Sequence, residues 1–231
     1  METTDDPRGL RCMTSNAGLN LGWGEAPVEY ADLSFLKNTR IGGVSLARKA
    51  TLKSLAGIED SEVRSFSVLN AAGIRDYTPL QRTGIVSLLL DNAAHLTDLK
   101  VISMMKKLEH LELRRSGASD LSPLAGNDTI EYLAVWNSPV TDLTPLASMK
   151  KLKHISLKNV PITTLEGLAA NQGLEYISIV NTPAKDLSVL TKLPRLRKIS
   201  ISGDEAENMT IPEALKSRLE LYGSIPDELK K

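Results

Sequence analysis

Apolar residues recur along this chain at a fixed interval of 22 positions. Three columns of the pattern contain Leu108, Ile130, Leu152, Leu174 and Leu196; Leu111, Leu133, Ile155, Ile177 and Ile199; and Leu113, Val135, Leu157, Ile179 and Ile201. Two more contain Leu121, Leu143, Leu165 and Leu187, and Leu124, Leu146, Leu168 and Leu190. Self-similarity at one period indicates a repeat protein in which each unit packs only on its neighbours.

The period also runs back towards the N-terminus with one slip. Ile41, Val63 and Ile85 are 22 apart, whereas Ile85 and Leu108 are 23 apart. The extra residue changes the loops while the repeat itself continues. We therefore count eight repeats between about Asp32 and Asp204.

Within each repeat, alternating apolar positions predict a short strand. In YLAVW at 132–136, Leu133 and Val135 point to one face, and Tyr132, Ala134 and Trp136 point to the other. Prolines avoid these strands, where a missing N–H would interrupt the hydrogen bonds of a sheet. They occur instead in the loops, at Pro79, Pro123, Pro139, Pro145, Pro161 and Pro183.

The pattern LxxLxLxxSxxxxDLSPLxxx resembles the leucine-rich repeat in its short bacterial form, as in the internalins. DLSPL at 120–124 and DLTPL at 142–146 carry the likeness on the far side of the repeat from the strand. The resemblance to the leucine-rich repeat covers about three quarters of the chain. The resemblance implies an α/β solenoid, a horseshoe with a parallel β-sheet on the concave face and short turns or 3₁₀ segments on the convex face.

The chain departs from the family pattern at the position that usually holds a buried asparagine ladder. Ser116, Ser138, Val160 and Thr182 occupy it, and asparagines precede it in three repeats. We expect a ladder of hydroxyls that Val160 interrupts.

Both ends of a solenoid need caps, so we divide the chain into an N-terminal tail and cap at 1–31, repeats at 32–204 and a C-terminal helical cap at 205–231. Thr210 and Glu213 have the spacing of a capping box. Leu215 and Leu219 would then share one face of a capping helix that stops near Gly223. Trp23 is interpreted as packing within the N-terminal cap.

The strand register places aromatic, cationic and histidine side chains on the solvent-facing side of the sheet. This composition is typical of interaction hot spots. The alternative is that the rings stack on one another and only stabilise the sheet. The candidate partner-binding residues are His110, Glu112, Arg114, Tyr132, Trp136, His154, Lys158, Tyr176 and Lys198.

Composition narrows the classes of function. Lysine plus arginine equals aspartate plus glutamate at 28 each, which argues against nucleic-acid or membrane binding. The single cysteine, Cys12, excludes an intramolecular disulfide. No apolar run approaches the ~18 residues of a membrane span, and the acidic N-terminus METTDDPRGL lacks a signal-peptide core. We expect a cytoplasmic protein that is monomeric before it binds its partner.

Candidate catalytic groups are sparse, so we predict a non-enzyme with no cofactor and no metal. His110 and His154 would be two strands apart, ~10 Å, too far for one zinc ion. His95 falls in a loop away from them. Cys12 has no histidine near it in the sequence, and GVSLARKAT lacks the spacing of a phosphate-binding loop.

Two classes of function remain. The first is a scaffold that captures a protein partner on the concave face, such as an immunity-type inhibitor of a bacterial toxin or effector, or a regulatory subunit of an enzyme such as a phosphatase. The second is a receptor that stacks a glycan on the concave aromatic residues. No residue in the sequence names the partner.

Overall fold

A computed structural model of the chain describes residues 2–3 and 18–222. Cys12 and Gly223 therefore lie outside the described residues. The chain divides into two compact units, residues 1–117 and 118–231. Both are built from stacked repeats in which a strand alternates with a short helical turn, so the predicted repeat solenoid with a parallel sheet and 3₁₀ turns is confirmed.

In the first unit, strand β2 pairs with β1 and β4, and the parallel sheet continues through β6, β7 and β8. Strands β3 and β5 form a separate parallel pair. The strands are β1 (Glu2–Thr3), β2 (Gly18–Leu21), β3 (Val28–Tyr30), β4 (Gly43–Leu46), β5 (Ala50–Leu52), β6 (Ser65–Val68), β7 (Ser87–Asp91) and β8 (His110–Arg114). Helical turns cover Ser34–Leu36, Ile58–Asp60 and Thr78–Arg82 as 3₁₀ segments and Lys100–Ser103 as helix α1.

In the second unit, five parallel strands pair in chain order. They are β9 (Tyr132–Trp136), β10 (His154–Lys158), β11 (Tyr176–Val180), β12 (Lys198–Ser202) and β13 (Leu219–Tyr222). The 3₁₀ segments are Ser122–Leu124, Thr144–Ser148, Glu166–Leu168 and Ser188–Lys192, and two further helical turns are α2 (Gly203–Ala206) and α3 (Glu213–Lys216). A membrane-crossing helix is absent from the described residues, whose α-helices each contain four residues.

The apolar columns form the core of each unit. Leu133, Val135, Ile155 and Leu157 are at most 1% exposed, as the alternation predicts. In the 3₁₀ segments of the same repeats, Leu124, Leu146, Leu168 and Leu190 are also fully buried. Burying one such side chain contributes about 1.5–3 kcal/mol, so a single repeat cannot offset the entropy of ordering its backbone and depends on its neighbours.

A column of short polar side chains starts the helical turns. Asp32, Asp76, Asp98, Asp120, Asp142 and Asp186 each accept a hydrogen bond from the backbone N–H two residues further on. Ser54 and Thr164 occupy the same position in the two remaining repeats and accept the equivalent bond. These bonds satisfy N–H groups that a short helical turn leaves without a partner.

Hydrogen bonds from the hydroxyl and the backbone N–H of the residue two positions further on lower the pKa of five of these carboxyl groups. For Asp32, Asp120, Asp142 and Asp186 the hydroxyl of the residue two positions on contributes most, and for Asp76 the backbone N–H of Thr78 does. Because the folded pKa lies below the unfolded one, each contributes stability that is present above the unfolded pKa and is lost as the pH falls through the folded pKa.

An asparagine ladder lies one residue before the position where a ladder of hydroxyls is predicted. Asn137, Asn159 and Asn181 each have a φ near +51° or +52°, a left-handed conformation that asparagine tolerates. Asn159 donates its side-chain N–H to Asn137 at 2.7 Å, and Asn181 donates to Asn159 at 2.6 Å. Val160 is buried in the core, as a residue that takes no part in a ladder of hydroxyls, and the asparagine before it carries the bond between repeats.

The ladder ends on a carboxylate. The backbone N–H groups of Asn137 and Asn159 donate to backbone carbonyls of the next repeat. That of Asn181 donates instead to Glu205 at 2.7 Å, and Lys185 donates to the other oxygen of Glu205 at 3.1 Å. Glu205, on α2, thus replaces the carbonyl of a missing repeat.

Two predictions about the ends of the repeats are wrong. The C-terminal helix is a single turn, α3, without a side-chain cap, and Leu219 lies in β13, which pairs with β12. The chain covers this side of β12 with another strand, which satisfies its hydrogen-bonding groups directly. Trp23, expected to pack within the N-terminal cap, is 54% exposed.

The asparagine ladder provides a test of how neighbouring repeats are joined. Asn159→Ala removes two side-chain hydrogen bonds and places alanine at positive φ, so we expect it to lower the free energy of unfolding by about 1–3 kcal/mol. Asn159→Gly keeps the backbone conformation accessible and separates the two contributions. Urea denaturation measures both. Asn208→Ala is the control, because Asn208 is exposed and its backbone is not left-handed. If Asn159→Ala lowers the free energy of unfolding no more than Asn208→Ala does, the ladder does not stabilise the contact between repeats.

The capping carboxylates predict a specific acid sensitivity. Stability is expected to decline as the pH falls below about 4, the ordinary pKa of aspartate. Replacing Asp120 and Asp142 with asparagine keeps a side-chain oxygen that accepts a hydrogen bond but removes the titration. The double variant should therefore lose less of its melting temperature than the wild type between pH 5 and pH 2, as followed by circular dichroism. If the double variant and the wild type lose the same melting temperature, the pKa values of Asp120 and Asp142 do not differ between the folded and the unfolded protein, and the prediction is wrong.

Candidate functional site

Three columns of side chains cover the solvent-facing side of the sheet in the second unit, which we call the outer sheet face. Parallel register places Tyr132, His154, Tyr176 and Lys198 in the first column. The middle column contains Ala134, Ser156, Ser178, Ser200 and Glu220, and the third contains Trp136, Lys158 and Val180. The predicted outward orientation of Tyr132, Trp136, Tyr176, His154, Lys158 and Lys198 is confirmed, since all are partly or largely exposed.

The first column is a continuous row of contacts. The ring centroids of Tyr132 and His154 are 6.3 Å apart, and those of His154 and Tyr176 are 5.7 Å apart, each pair tilted by 40°. The ammonium of Lys198 lies 5.7 Å from the centroid of the Tyr176 ring, within the range of a cation–π interaction. The row restricts the rotamers of its members and holds the rings in place.

An ion pair on β12 and β13 ends this row. Lys198 pairs with Glu220, and the hydroxyl of Ser200 donates to the same carboxylate oxygen at 3.0 Å. The hydrogen bond to Glu220 raises the pKa of Lys198. The hydrogen bonds from Lys198 and then Ser200 lower the pKa of Glu220. Both groups therefore stay charged at neutral pH, and their charges compensate.

The middle column forms a shallow floor. Ala134 and Ser200 are almost fully buried, and Ser156 and Ser178 are each 9% exposed. Larger side chains of the first and third columns stand on either side of these small ones. The floor is therefore a trough that crosses the strands.

Trp136 lies towards this trough. Its indole N–H donates to the hydroxyl of Ser156 on the adjacent strand at 3.0 Å, so the ring crosses from β9 towards β10. The bond satisfies the polar atom of the tryptophan and leaves the ring partly exposed. A partner would therefore meet an indole already held in one orientation.

Charges on and beside this face are mostly paired. The residues that precede the strands form ion pairs, Glu131 with Lys153 at 2.8 Å and Glu175 with Arg197 at 4.0 Å. Within residues 18–222, Lys158 forms no ion pair. The third column thus carries an uncompensated positive charge.

The remaining predicted residues belong to the first unit. His110, Glu112 and Arg114 lie on β8, opposite Ser87, Leu89 and Asp91 of β7. Arg114 donates to Glu112 at 2.5 Å, so the two charges compensate each other. That these residues extend the binding surface stays a prediction.

Asp91, the last residue of β7, is fully buried. One of its carboxylate oxygens lies 2.6 Å from Arg115, and the other lies 3.6 Å from Arg48. The backbone N–H of Asn92 also donates to the carboxylate. Two arginines and a backbone donor therefore compensate for the burial of the charge.

Sequence reasoning missed the contribution of Glu220, because residues 205–231 were assigned to a helical cap. The alternation in LELY at 219–222 is the signal that indicates a strand there. Across the described residues, no three histidine, cysteine, aspartate or glutamate side chains are grouped as ligands for a metal ion. The arrangement offers surfaces for contact, with aromatic faces, hydroxyls and one uncompensated ammonium.

Comparison with known proteins adds to this geometry. No protein-family model and no curated protein matches the sequence. Among solved structures, the chain is similar to internalin C2 from Listeria monocytogenes, with a TM-score of 0.63 and 21% identity over 79% of this chain and 80% of that one. An internalin, InlF, from the same organism gives 0.53 and 20% identity over 89% and 75%. A leucine-rich-repeat protein from Leptospira interrogans gives 0.62 and 13% identity over 90% and 60%.

The chain has the leucine-rich-repeat fold. Identities of 21% or less show the fold alone, and they agree with the 22-residue period and the parallel strands. The resemblance drawn from the DLSPL and DLTPL motifs is confirmed at this level. What the repeats bind has to be argued from the side chains of this chain.

The bond between Trp136 and Ser156 can be tested directly. Ser156→Ala leaves the indole N–H without its partner, so we expect a more mobile ring and a loss of about 1 kcal/mol in stability. In a Trp23→Phe background all tryptophan fluorescence comes from Trp136, since the chain has 2 tryptophans. Its emission anisotropy should fall and its quenching by acrylamide should rise. Ser178→Ala, which removes a hydroxyl two strands from Trp136, is the control and should change neither.

Proposed function

We propose that this protein is a non-enzymatic scaffold that binds a protein partner through its outer sheet face, the face that the family resemblance places on the concave side. The observation that carries the proposal is the row of Tyr132, His154 and Tyr176 beside Trp136, all presented on one rigid sheet. Side chains of this kind supply a large contact area and lose little conformational entropy on binding.

The internal contacts of the face support this proposal, although they also stabilise the sheet. The rings of the first column contact each other, and Trp136 is fixed by Ser156. Each therefore already occupies one orientation before a partner arrives. Preorganisation of this kind reduces the entropy lost on association. Stacking and binding thus favour the same arrangement.

A glycan receptor is the alternative class, and the charges on this face disfavour it. Sugar sites use carboxylate and amide groups beside aromatic rings to hydrogen-bond the sugar hydroxyls. Glu220 is the one carboxylate among the outward positions of β9–β13, and it is engaged by Lys198 and Ser200. The rings remain available for stacking, but the polar contacts that give a sugar its orientation are missing from the described face.

Finer roles extend the same proposal. A compact protein whose described residues are repeats is suited to act as an immunity-type inhibitor that covers a toxin or effector, or as a regulatory subunit of an enzyme such as a phosphatase. With its single cysteine and balanced charge, we place it in the cytoplasm, monomeric until it binds. Each of these roles involves a different partner, but in all of them the partner binds the outer sheet face.

A double substitution tests the shared proposal. Tyr132→Ala with Trp136→Ala removes two contact surfaces, and we expect it to abolish partner capture from native lysate of the source cells, measured by quantitative mass spectrometry. The far-UV spectrum should be unchanged. The melting temperature should fall only slightly, because both side chains are partly exposed and the buried core is unchanged.

Met104→Ala is the matched control, since Met104 is 49% exposed and lies outside the strands. It should leave capture intact. Capture that persists in the double variant, or a double variant that unfolds, would count against a binding role for these aromatic residues. Tryptophan fluorescence titrated with glycans tests the alternative class.

A further inference from the structure

The centre of the outer sheet face carries an uncommitted hydroxyl. Ser178 is 9% exposed, and among the described residues its side chain makes no hydrogen bond. Its oxygen is nevertheless not sealed from solvent. On either side, the hydroxyl of Ser156 accepts from Trp136 and that of Ser200 donates to Glu220. Among the serines of the trough, Ser178 is therefore the one whose hydroxyl makes no hydrogen bond, so both its donor and its acceptor positions are available to a ligand.

Hydrogen-bond donors surround this hydroxyl. Ser156 lies directly opposite Ser178 in the register, about 4.8 Å away between backbones. His154 and Lys158 lie two residues to either side of Ser156 on the same face, and His154 already contacts Tyr176. Long side chains at such diagonal positions reach one another across a sheet. An imidazole, an ammonium and hydroxyls thus lie within side-chain reach of one part of the trough.

The charge at this place is positive and uncompensated. Lys158 forms no ion pair within residues 18–222, and Glu220, three strands further along on β13, is neutralised by Lys198. Donors together with one net positive charge favour an acceptor that carries a negative charge. Trp136 and Val180 add an apolar surface beside this charge. The site therefore favours an acidic residue whose neighbours in the partner are apolar.

We propose that the outer sheet face recognises an acidic loop of its protein partner, whose Asp or Glu carboxylate lies over Ser178 between His154 and Lys158, while an adjacent apolar residue packs on Trp136 and Val180. This inference rests on the proposed protein-binding function and specifies the chemistry of the partner. Nucleic acid is disfavoured because a phosphate backbone needs several cations along a track, and this face has one uncompensated cation.

Selection from a display library of random constrained loops tests the inference without knowledge of the partner. The whole chain is immobilised, and the recovered loops should carry Asp or Glu beside an aromatic or aliphatic residue. Replacing that acid with its amide should weaken binding at least about tenfold. Lys158→Met should cause a similar loss, and Ser178→Ala should cause a smaller one.

A double-mutant cycle makes the assignment specific. In the Lys158→Met variant, replacing the acid of the loop with its amide should cause little further loss, because the two groups contact each other. Lys151→Met removes the same charge from an exposed turn of the same unit and should leave binding unchanged. Independent losses from Lys158→Met and the amide, or an equal effect of Lys151→Met, would overturn the inference.

The outcomes separate this inference from the proposed function. Loops that lose binding with Trp136→Ala but show no preference for acids and no response to Lys158→Met overturn the inference and leave the protein-binding function standing. Loops indifferent to every substitution on the outer sheet face, or failure to recover any loop, contradict both.

Discussion

Hydrogen bonding between parallel strands of successive repeats is the constraint on which the rest of this structure depends. In the second unit, residues 22 positions apart stand opposite each other from β9 to β12. Any side chain that recurs at this period therefore becomes part of a column across the strands. The packed core leucines and the hydrogen-bonded ladder asparagines are two results of this register. A repeat taken alone would lack both kinds of contact, whereas each turn-capping aspartate bonds within its own repeat.

The same register builds the outer sheet face. Tyrosine, histidine, tyrosine and lysine occur at one repeat position, so they become one row of ring and cation–π contacts. Small residues at the next outward position form the floor of a trough. Because each contact also restrains its members, the surface is rigid before any partner arrives. Stability and the proposed recognition are therefore not separable residue by residue on this face, which is why tests of binding need controls for folding.

At the C-terminal end of the repeats, other groups form the hydrogen bonds that a further repeat would otherwise provide. Glu205 supplies an oxygen where the next repeat would offer a backbone carbonyl to Asn181. Strand β13 continues the sheet without the full repeat pattern around it. Both substitutions satisfy backbone hydrogen-bonding groups, whose burial without partners is costly.

Periodicity by itself determined the repeat class, the inward columns and the outward orientation of residues such as Tyr132 and Trp136, because a strand alternates its faces and a repeat reproduces that alternation. Only the tertiary structure decided which polar groups meet. The ladder forms at Asn137, Asn159 and Asn181 because their left-handed backbone turns the amides towards each other. Glu220 reaches Lys198 because residues 219–222 pair as a strand. Asp91 is buried because two arginines lie beside it. Such contacts depend on rotamers and on loop paths between repeats, which a sequence period does not encode.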